Sequence, residues 1–228
     1  MGKLYEIMKN YSINDAIEQE KNDLQFIALK ELFENIKNKE IYLFLVLSNA
    51  LITYQLSGKW EAYWKEFSQY FQKINNLDSK NLIGELIKFI SNSKNNKRLL
   101  DIKIQRLHKI ENFINDFQEK KEFYYENMEI LRNELENLMN QKKDAKTIVF
   151  AVKMFSYAAR NYFDKIILFP SSIEIPIDSR LENIFALYNI DKDMKISDFY
   201  KILSWKLDIP ALHLDALIWC NYDELIKK

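Results

Sequence analysis

Glycine and proline are scarce in this chain of 228 residues, which contains three of each. β-Sandwiches, barrels and Rossmann-type units need glycine- and proline-bearing turns at short intervals, so the scarcity speaks against all three architectures. Because 48% of the residues are hydrophobic and 29% are charged, the composition is that of a folded globular protein. Together these values predict an all-α fold.

Cysteine and histidine are also rare. Cys220 is the only cysteine, which excludes an intramolecular disulfide, a cysteine-ligated zinc site and an iron–sulfur cluster. His108 and His213 are too few to form a histidine-rich metal centre. We therefore expect no metal site and no cofactor.

Long apolar runs and an excess of one charge are missing as well. No stretch approaches the roughly 18 apolar residues of a membrane span, and the N-terminus lacks the apolar segment of a signal peptide. We therefore expect an intracellular protein without a membrane segment. The 33 basic residues balance the 33 acidic residues, so a surface for nucleic acid must be a local patch.

Apolar residues recur at helical spacing through most of the sequence. Residues 40–56 are apolar on almost every side, which predicts a helix buried in the middle of the domain. Further helices are predicted over 23–37, 59–74, 80–91, 97–118, 121–139 and 144–163, from Ser179, over 198–206 with Ser197 as its cap, and from Pro210. We expect two lobes with a soft boundary: 1–125, to which the last helix (208–228) can also belong, and 126–228.

Two lysines lie on one face of the apolar helix 144–163. Lys146, Phe150 and Lys153 are spaced at i, i+4 and i+7, which places them on the same side. A lysine in an apolar pocket beside another cation has a lowered pKa, and its neutral amine is a nucleophile. The alternative is that both lysines extend to the helix surface and stay solvated.

Two carboxylates have a similar double interpretation. Asp178 is a good N-cap for the helix from Ser179, and an oxygen not used in the cap could face a substrate. Asp215 and Trp219 lie one turn apart on the last predicted helix. That pair fits core packing, or recognition of a flat, donor-rich ligand stacked on the indole.

Basic residues cluster in one stretch of the sequence. Six of them lie between Lys94 and Lys109, against the single acid Asp101. Such a run is either a solvated face or a phosphate-binding surface. Our candidates for phosphate contacts are Lys94, Lys97, Arg98, Lys142 and Lys143.

Five segments in order resemble a known family. They are NDLQF (22–26), NALITYQLSGKWEAYW (49–64), KTIVFAVKM (146–154), IPIDSR (175–180) and HLDALIW (213–219). They are similar to motifs of the archaeal 8-oxoguanine DNA glycosylases, a divergent branch of the helix-hairpin-helix glycosylases. The resemblance covers most of the chain and implies a two-lobed helical fold with the active site between the lobes.

The resemblance implies a role for each matching residue. Lys146 is implied to be the Schiff-base nucleophile and Asp178 its acidic partner. Phe150 and Trp219 are implied to sandwich the extruded base, with Asp215 accepting hydrogen bonds from its Watson–Crick edge. The other positions that match the family's base pocket are Gln25, Thr53, Trp64, Lys153 and Pro176.

This chain departs from the family pattern in two features. Thr53 stands where serine is expected, which keeps the hydroxyl group, and the hairpin MNQKKDAK (139–146) lacks the glycines of the usual turn. Oxidised guanine differs from guanine in its N7–H donor, so discrimination needs an acceptor there. Gln25 or a nearby carbonyl is our candidate for that acceptor.

The resulting hypothesis is a bifunctional DNA glycosylase and abasic-site lyase that excises 8-oxoguanine from DNA. Lys146, deprotonated by desolvation and by the charge of Lys153, attacks C1′, and Asp178 stabilises the cationic sugar before β-elimination cuts the strand. We expect a cytoplasmic monomer that acts on the chromosome. The alternatives are a glycosylase of the same fold for another lesion, such as an oxidised pyrimidine, and a non-catalytic helical DNA- or protein-binding module.

Overall fold

The structure is a computed structural model that describes residues 1–142 and 144–227. In these residues the chain is helical and contains no β-strand, as the scarcity of glycine and proline predicts. The helices are α1 (Gly2–Met8), α2 (Ile13–Glu20), α3 (Leu24–Asn35), α4 (Tyr42–Ile52), α5 (Trp60–Phe71), α6 (Leu82–Asn92), α7 (Leu100–Glu111), α8 (Ile114–Glu126), α9 (Met128–Met139), α10 (Lys146–Phe163), α11 (Ser179–Tyr188), α12 (Ile196–Leu207), α13 (Ala211–Cys220) and α14 (Tyr222–Leu225).

The chain divides into two compact units. One unit combines Met1–Asp23 with Leu168–Lys228, and the other is the continuous segment Leu24–Ile167. These units do not coincide with the expected lobes, since the boundary near residue 125 lies inside the second unit. The first unit joins both ends of the chain because α2 packs on α13 and α1 packs on α11 and α12. The expectation that 208–228 can belong to the lobe 1–125 differs from this division, because 208–228 shares a unit with Met1–Asp23 and with the rest of Leu168–Lys228.

The continuous unit is built around α4 and α10, which pack on each other. Every residue of α4 is buried, as the apolar segment 40–56 predicts. In α10 the residues from Ile148 to Arg160 are all buried. The helices α3 and α8 also pack on α10, and α5 packs on α3. Because most of α10 is buried, packing holds its backbone in place, and the predicted site residues on this helix are attached to a fixed element.

The unit that joins the two ends has a separate apolar core. Leu4 of α1, Leu181 and Ile184 of α11, Leu203 of α12 and Leu214 of α13 are fully buried in it. Residues 165–170 and 174–178, around Pro170 and Pro176, have no helical structure, as the two prolines predict. This segment ends at Asp178, which begins α11.

The helix boundaries differ from the sequence prediction in several places. The helix predicted over 121–139 is divided at Asn127 between α8 and α9. Helices α1 and α2 precede the predicted first helix, and α2 begins with a capping box between Ser12 and Asp15. The helix predicted over 97–118 is interrupted between α7 and α8. Ser197 does not cap α12, because that helix already begins at Ile196.

Candidate active site

The predicted nucleophile is the first residue of α10. Lys146 is exposed, because the buried part of this helix begins only at Ile148. We expected Lys146 to be shielded from water, and in the structure its side chain is exposed instead. Ala145 occupies the N-cap position without a side-chain hydrogen bond, while Thr147 Oγ1 donates to Gln141 Oε1 at 2.8 Å. The Lys146 side chain is therefore exposed to solvent at the start of the helix.

The second lysine of this face behaves differently. Lys153 is 3% exposed, two turns further along α10, and its Nζ lies 5.5 Å from the centroid of the Tyr157 ring. The alternative that both lysines are solvated at the helix surface therefore holds for Lys146 but not for Lys153. The structure places one lysine in the interior and one at the start of the helix.

Phe150 lies against two tryptophans of α5. Its ring centroid is 5.2 Å from that of Trp60, at 72°, and 6.2 Å from that of Trp64. Trp64 is buried, and its Nε1 has no hydrogen-bond partner in the residues described. Trp60 is half-buried and was not among the predicted site residues. The signal for it was available, since Trp60 and Trp64 are spaced at i, i+4.

Two further predicted pocket residues lie in the same unit. Gln25 is buried on α3, which packs on both α5 and α10. Thr53 follows α4, and its Oγ1 donates to the Asn49 carbonyl oxygen at 2.7 Å. The Tyr63 hydroxyl donates to Asn49 Oδ1 at 2.5 Å, and burial raises the pKa of Tyr63 well above its usual value. The Thr53 hydroxyl is therefore held by a buried network.

Asp178 and Asp215 lie in the other unit, around one buried tyrosine. Asp178 Oδ1 accepts a hydrogen bond from the Leu181 amide at 3.0 Å, so the predicted cap is confirmed. Asp215 is 3% exposed on α13. Burial, and then the charges of both carboxylates, raises the pKa of Tyr200, whose hydroxyl donates to the Leu181 carbonyl oxygen at 2.6 Å. The structure thus brings Asp178 and Asp215 into one electrostatic environment.

Trp219, at the end of α13, is half-buried and covered by an arginine. The Arg180 guanidinium carbon lies 3.6 Å from the centroid of the Trp219 ring. Pro176 is buried in the segment before α11. Sequence reasoning did not single out Arg180, although its place two residues after Asp178 on a helix start was a usable signal.

A buried histidine fixes the helix that carries Asp215 and Trp219. His213 Nδ1 lies 2.8 Å from Glu20 Oε1 of α2, and His213 Nε2 accepts from the Phe169 amide at 3.2 Å. Because Nε2 is the acceptor, Nδ1 is the nitrogen that donates to the carboxylate. This pair ties α13 to α2 and to the segment after residue 167.

Helix α9, which precedes Lys146, ends at an asparagine instead of a glycine. Asn140 has φ 50° at the end of α9. The Asn140 amide donates to the Asn137 carbonyl oxygen at 3.2 Å, and the Gln141 amide to the Glu136 carbonyl oxygen at 3.0 Å. This is the Schellman arrangement that commonly ends a helix, and asparagine tolerates its left-handed backbone. The turn therefore forms without glycine.

The predicted phosphate contacts are distributed over two loops. Lys94, Lys97 and Arg98 are exposed between α6 and α7, and Lys142 is exposed after α9. Lys143 lies outside the described residues. In the part of the chain that the structure describes, no group of three or more acidic, histidine or cysteine side chains could hold a metal ion. None of its helices is long and apolar enough to cross a membrane.

Comparison with solved structures identifies the class of fold. The chain is similar to the crystal structure of the 8-oxoguanosine complex of Pa-AGOG, the 8-oxoguanine DNA glycosylase from Pyrobaculum aerophilum. The TM-score is 0.82 at 23% identity, and the match covers 96% of this chain and 85% of that one. This chain therefore has the same all-α fold as that protein.

Sequence comparison identifies the family. The family model AGOG, described as N-glycosylase/DNA lyase, matches residues 5–228. A Thermococcus kodakarensis N-glycosylase/DNA lyase is 41% identical over 220 residues, which are 95% of this chain and 82% of that protein. A Methanococcus maripaludis protein with the same description is 38% identical over 225 residues, 96% of this chain and 86% of that one. The chain belongs to the AGOG family, and the predicted enzyme class, a DNA N-glycosylase and lyase, is confirmed.

Proposed function

We propose that the protein excises 8-oxoguanine from DNA with Lys146 as the nucleophile and then cleaves the abasic strand. The observation that carries the proposal is the position of Lys146. It stands exposed at the first turn of a buried helix, one turn before Phe150 and its neighbouring tryptophans. An enzyme that attacks the sugar of an extruded nucleotide needs a nucleophilic amine close to aromatic rings that stack on the base.

The base is held, in this proposal, by aromatic rings and by polar groups at its edge. An enzyme that acts on a base inside a duplex must extrude it into a pocket with stacking surfaces. Phe150 and Trp219 supply these surfaces, and the carboxylate of Asp215 accepts hydrogen bonds from the Watson–Crick edge. Pro176, Thr53 and Trp64 shape the pocket.

The chemistry proceeds through a lysine–sugar adduct. The Lys146 amine attacks C1′, the N-glycosidic bond breaks, and its electron pair leaves with the base, which takes up a proton. Asp178 accepts a proton from the amine and stabilises the cationic sugar through Oδ2, because Oδ1 is used in the α11 cap. Opening of the sugar gives a Schiff base. Loss of a C2′ proton then expels the 3′ phosphate and cuts the strand.

The preference for 8-oxoguanine rests on its N7–H donor, which guanine lacks. An acceptor in the pocket would pair with that donor and would leave guanine with two opposed acceptors. The Gln25 amide oxygen, on a buried helix of the Lys146 unit, is the proposed acceptor. Lys153, buried on the same helix as Phe150, places its amine on this side of the pocket in the proposal.

The proposed activity has consequences for the location and the oligomeric state of the enzyme. With chromosomal DNA as the partner, we place the protein in the cytoplasm and infer that it acts as a monomer. We infer a monomer because every side chain used in the proposed reaction belongs to the same chain.

A panel of lesion duplexes tests the substrate. Duplexes carrying 8-oxoguanine, an oxidised pyrimidine, uracil or no lesion are incubated with the protein, and base release and strand cleavage are measured separately. Release and cleavage on the 8-oxoguanine duplex are expected, with loss of both in Lys146→Gln and retention in Lys192→Gln, a matched exposed lysine. Selective action on the oxidised pyrimidine would reassign the substrate to another lesion.

A further inference from the structure

Lys103 of α7 is fully buried without an acidic partner. Its side chain is 0% exposed, and no carboxylate in the described part of the chain forms an ion pair with it. Burial, together with the charges of Arg106 and Arg98, lowers the pKa of Lys103 to about 8. A buried charge that lacks an opposite charge costs folding free energy. Groups held in such an environment are candidates for a functional role.

The amine of Lys103 reaches the end of α4 through an asparagine. Its Nζ donates to Asn96 Oδ1, and Asn96 Nδ2 donates to the Ile52 carbonyl oxygen at 3.3 Å. The neighbouring Arg106 donates through Nη1 to the Leu51 carbonyl oxygen at 2.9 Å. The last carbonyl groups of a helix have no partner within the helix, and they carry the negative end of its dipole. Both cations of α7 therefore lie where α4 attracts positive charge.

The same two cations lie on the ring of Tyr54, two residues beyond the end of α4. The ring centroid is 4.9 Å from Lys103 Nζ and 4.7 Å from the guanidinium carbon of Arg106. The Tyr54 hydroxyl is buried and has no hydrogen-bond partner in the described residues, so it does not anchor the ring. The position of the Tyr54 ring therefore depends on the cations on its face.

Thr53 lies between these two contacts. The residue before it is bonded to Asn96, and the residue after it carries the ring that the Lys103 amine contacts. Burial raises the pKa of Tyr63, and hydrogen bonds with Asn96 and Thr53 offset part of that rise. The Thr53 side chain is therefore in one buried network with Asn96, whose amide oxygen accepts from Lys103.

The outer part of the turn after α4 is held separately. The Ser57 and Gly58 amides donate to the Asn95 carbonyl oxygen at 2.8 and 3.1 Å. A Cβ on Gly58 would overlap Asn95 Oδ1, so this close approach requires glycine. These contacts do not involve Lys103. Loss of the Lys103 amine should therefore loosen the turn at Thr53 and leave its outer part in place.

We propose that Lys103 is a positioning residue of the base pocket, because its contacts hold the turn that carries Thr53. This inference rests on the proposed function, in which Thr53 shapes the pocket for the extruded base. Because Lys103 is fully buried, it acts through Asn96 and the Tyr54 ring and not by contact with the base. Its positive charge strengthens both contacts, since charge-assisted hydrogen bonds and cation–ring contacts are stronger than their neutral counterparts. The buried charge therefore lowers stability and fixes the turn at the same time.

The test measures lesion preference, the ratio of the dissociation constants for a guanine duplex and an 8-oxoguanine duplex. Fluorescence anisotropy gives both constants in Lys146→Gln, which lacks the proposed nucleophile and leaves the DNA intact. Adding Lys103→Met should reduce the lesion preference by about tenfold, the scale of one hydrogen bond to a charged group. Affinity for the guanine duplex should not change, since a buried lysine makes no phosphate contact. Adding Lys120→Met, which alters an exposed lysine of α8, is the control and should change neither value.

A double-mutant cycle tests the route through Asn96. Asn96→Ala should reduce the lesion preference by itself. Lys103→Met should then add little, because it removes a contact that the first substitution has already broken. Methionine has nearly the length of lysine without its charge, so both variants should fold. Fully additive losses would mean that Lys103 acts elsewhere and would overturn the proposal.

The pH profile is a readout that a purely structural lysine would not move. The lesion preference should be highest below pH 8, where Lys103 is charged, and should fall towards the Lys103→Met value as the pH rises to about 9.5. Arginines stay charged in this range, and burial raises the pKa of Tyr54, so the profile reports on Lys103. An unchanged lesion preference in Lys103→Met, or the same pH profile in that variant, would overturn the positioning role alone. A wild-type protein that excises no 8-oxoguanine would overturn the proposed function.

Discussion

The guanidinium carbon of Arg180 lies 3.6 Å from the centroid of the Trp219 ring and 5.2 Å from that of Tyr222. Arg180 follows Asp178 by two residues, so a single short segment caps α11 and holds the indole of α13. A cation over an aromatic face contributes about 0.5–2 kcal/mol, depending on its exposure. The proposed acidic partner and the proposed stacking ring are therefore positioned by the same turn.

Removing the Trp219 ring tests its role in stacking. Trp219→Ala should weaken binding to an 8-oxoguanine duplex by about 1–3 kcal/mol, the scale of one base–aromatic stack. Fluorescence anisotropy with lesion and lesion-free duplexes measures the difference. Trp205→Ala, which removes a tryptophan that is 79% exposed on α12, is the control and should bind normally. Unchanged lesion affinity in Trp219→Ala would exclude the ring from the base pocket.

The contact between Gly58 and Asn95 predicts opposite effects at two glycines. Gly58→Ala should lower the free energy of unfolding by about 1–3 kcal/mol, because the added Cβ overlaps Asn95. Gly84 lies inside α6 with open space around it, so Gly84→Ala should raise stability by about 1 kcal/mol. Urea unfolding of both variants measures the two signs. Equal effects at the two sites would contradict the tight approach.

Lys103 should make stability depend on pH above neutrality. Its side chain is buried and donates to Asn96 Oδ1, and burial with the charges of Arg106 and Arg98 lowers its pKa to about 8. In the unfolded chain the pKa is about 10.4, so between these values the unfolded state binds more protons. The cost of burying the cation is therefore complete below pH 8 and is relieved as the pH rises towards about 10.4.

A comparison with Lys103→Met isolates this dependence, because other titrating groups cancel in the difference. From about pH 7.5 to 10, the stability of the wild type relative to the variant should rise by about 1–2 kcal/mol. Denaturant unfolding across this pH range measures it. A difference that stays constant with pH would mean that the Lys103 pKa is ordinary.

The basic loop before α7 should govern the salt dependence of DNA binding. Replacing Lys94, Lys97 and Arg98 by Gln should reduce the slope of log K against log salt by about 2.7, since each of the three phosphate contacts contributes about 0.9. Base preference should not change. The matched control replaces Lys30, Lys73 and Lys80, three exposed lysines on other surfaces, and should keep the wild-type slope. Equal slopes in the two triple variants would make the loop an ordinary solvated surface.

The parts of the fold that follow local patterns could be predicted from the sequence. The apolar runs gave the positions of α4 and α10, and the Asp178 cap followed from an acid before a helix start. The grouping of both chain ends into one unit could not be predicted, because it arises from the packing of α2 on α13. Contacts between residues far apart in the sequence produce no periodic pattern of apolar residues from which they could be predicted.

The residues of the proposed site could be named from sequence motifs, but their environments could not. Lys146 and Lys153 share a face in sequence, but their burial depends on where α10 enters the core. Arg180 over Trp219 and the left-handed backbone of Leu99 are set by tertiary neighbours. Residue type alone would have disfavoured that backbone at Leu99.

A borohydride trap of the protein on a duplex with a single 8-oxoguanine tests the central claim most directly. Reduction of the Schiff base should give a covalent protein–DNA adduct with the wild type and with Lys192→Gln. Peptide mapping should find the modification on Lys146, and Lys146→Gln should give none. An adduct that persists in Lys146→Gln, or that maps to another lysine, would contradict the account.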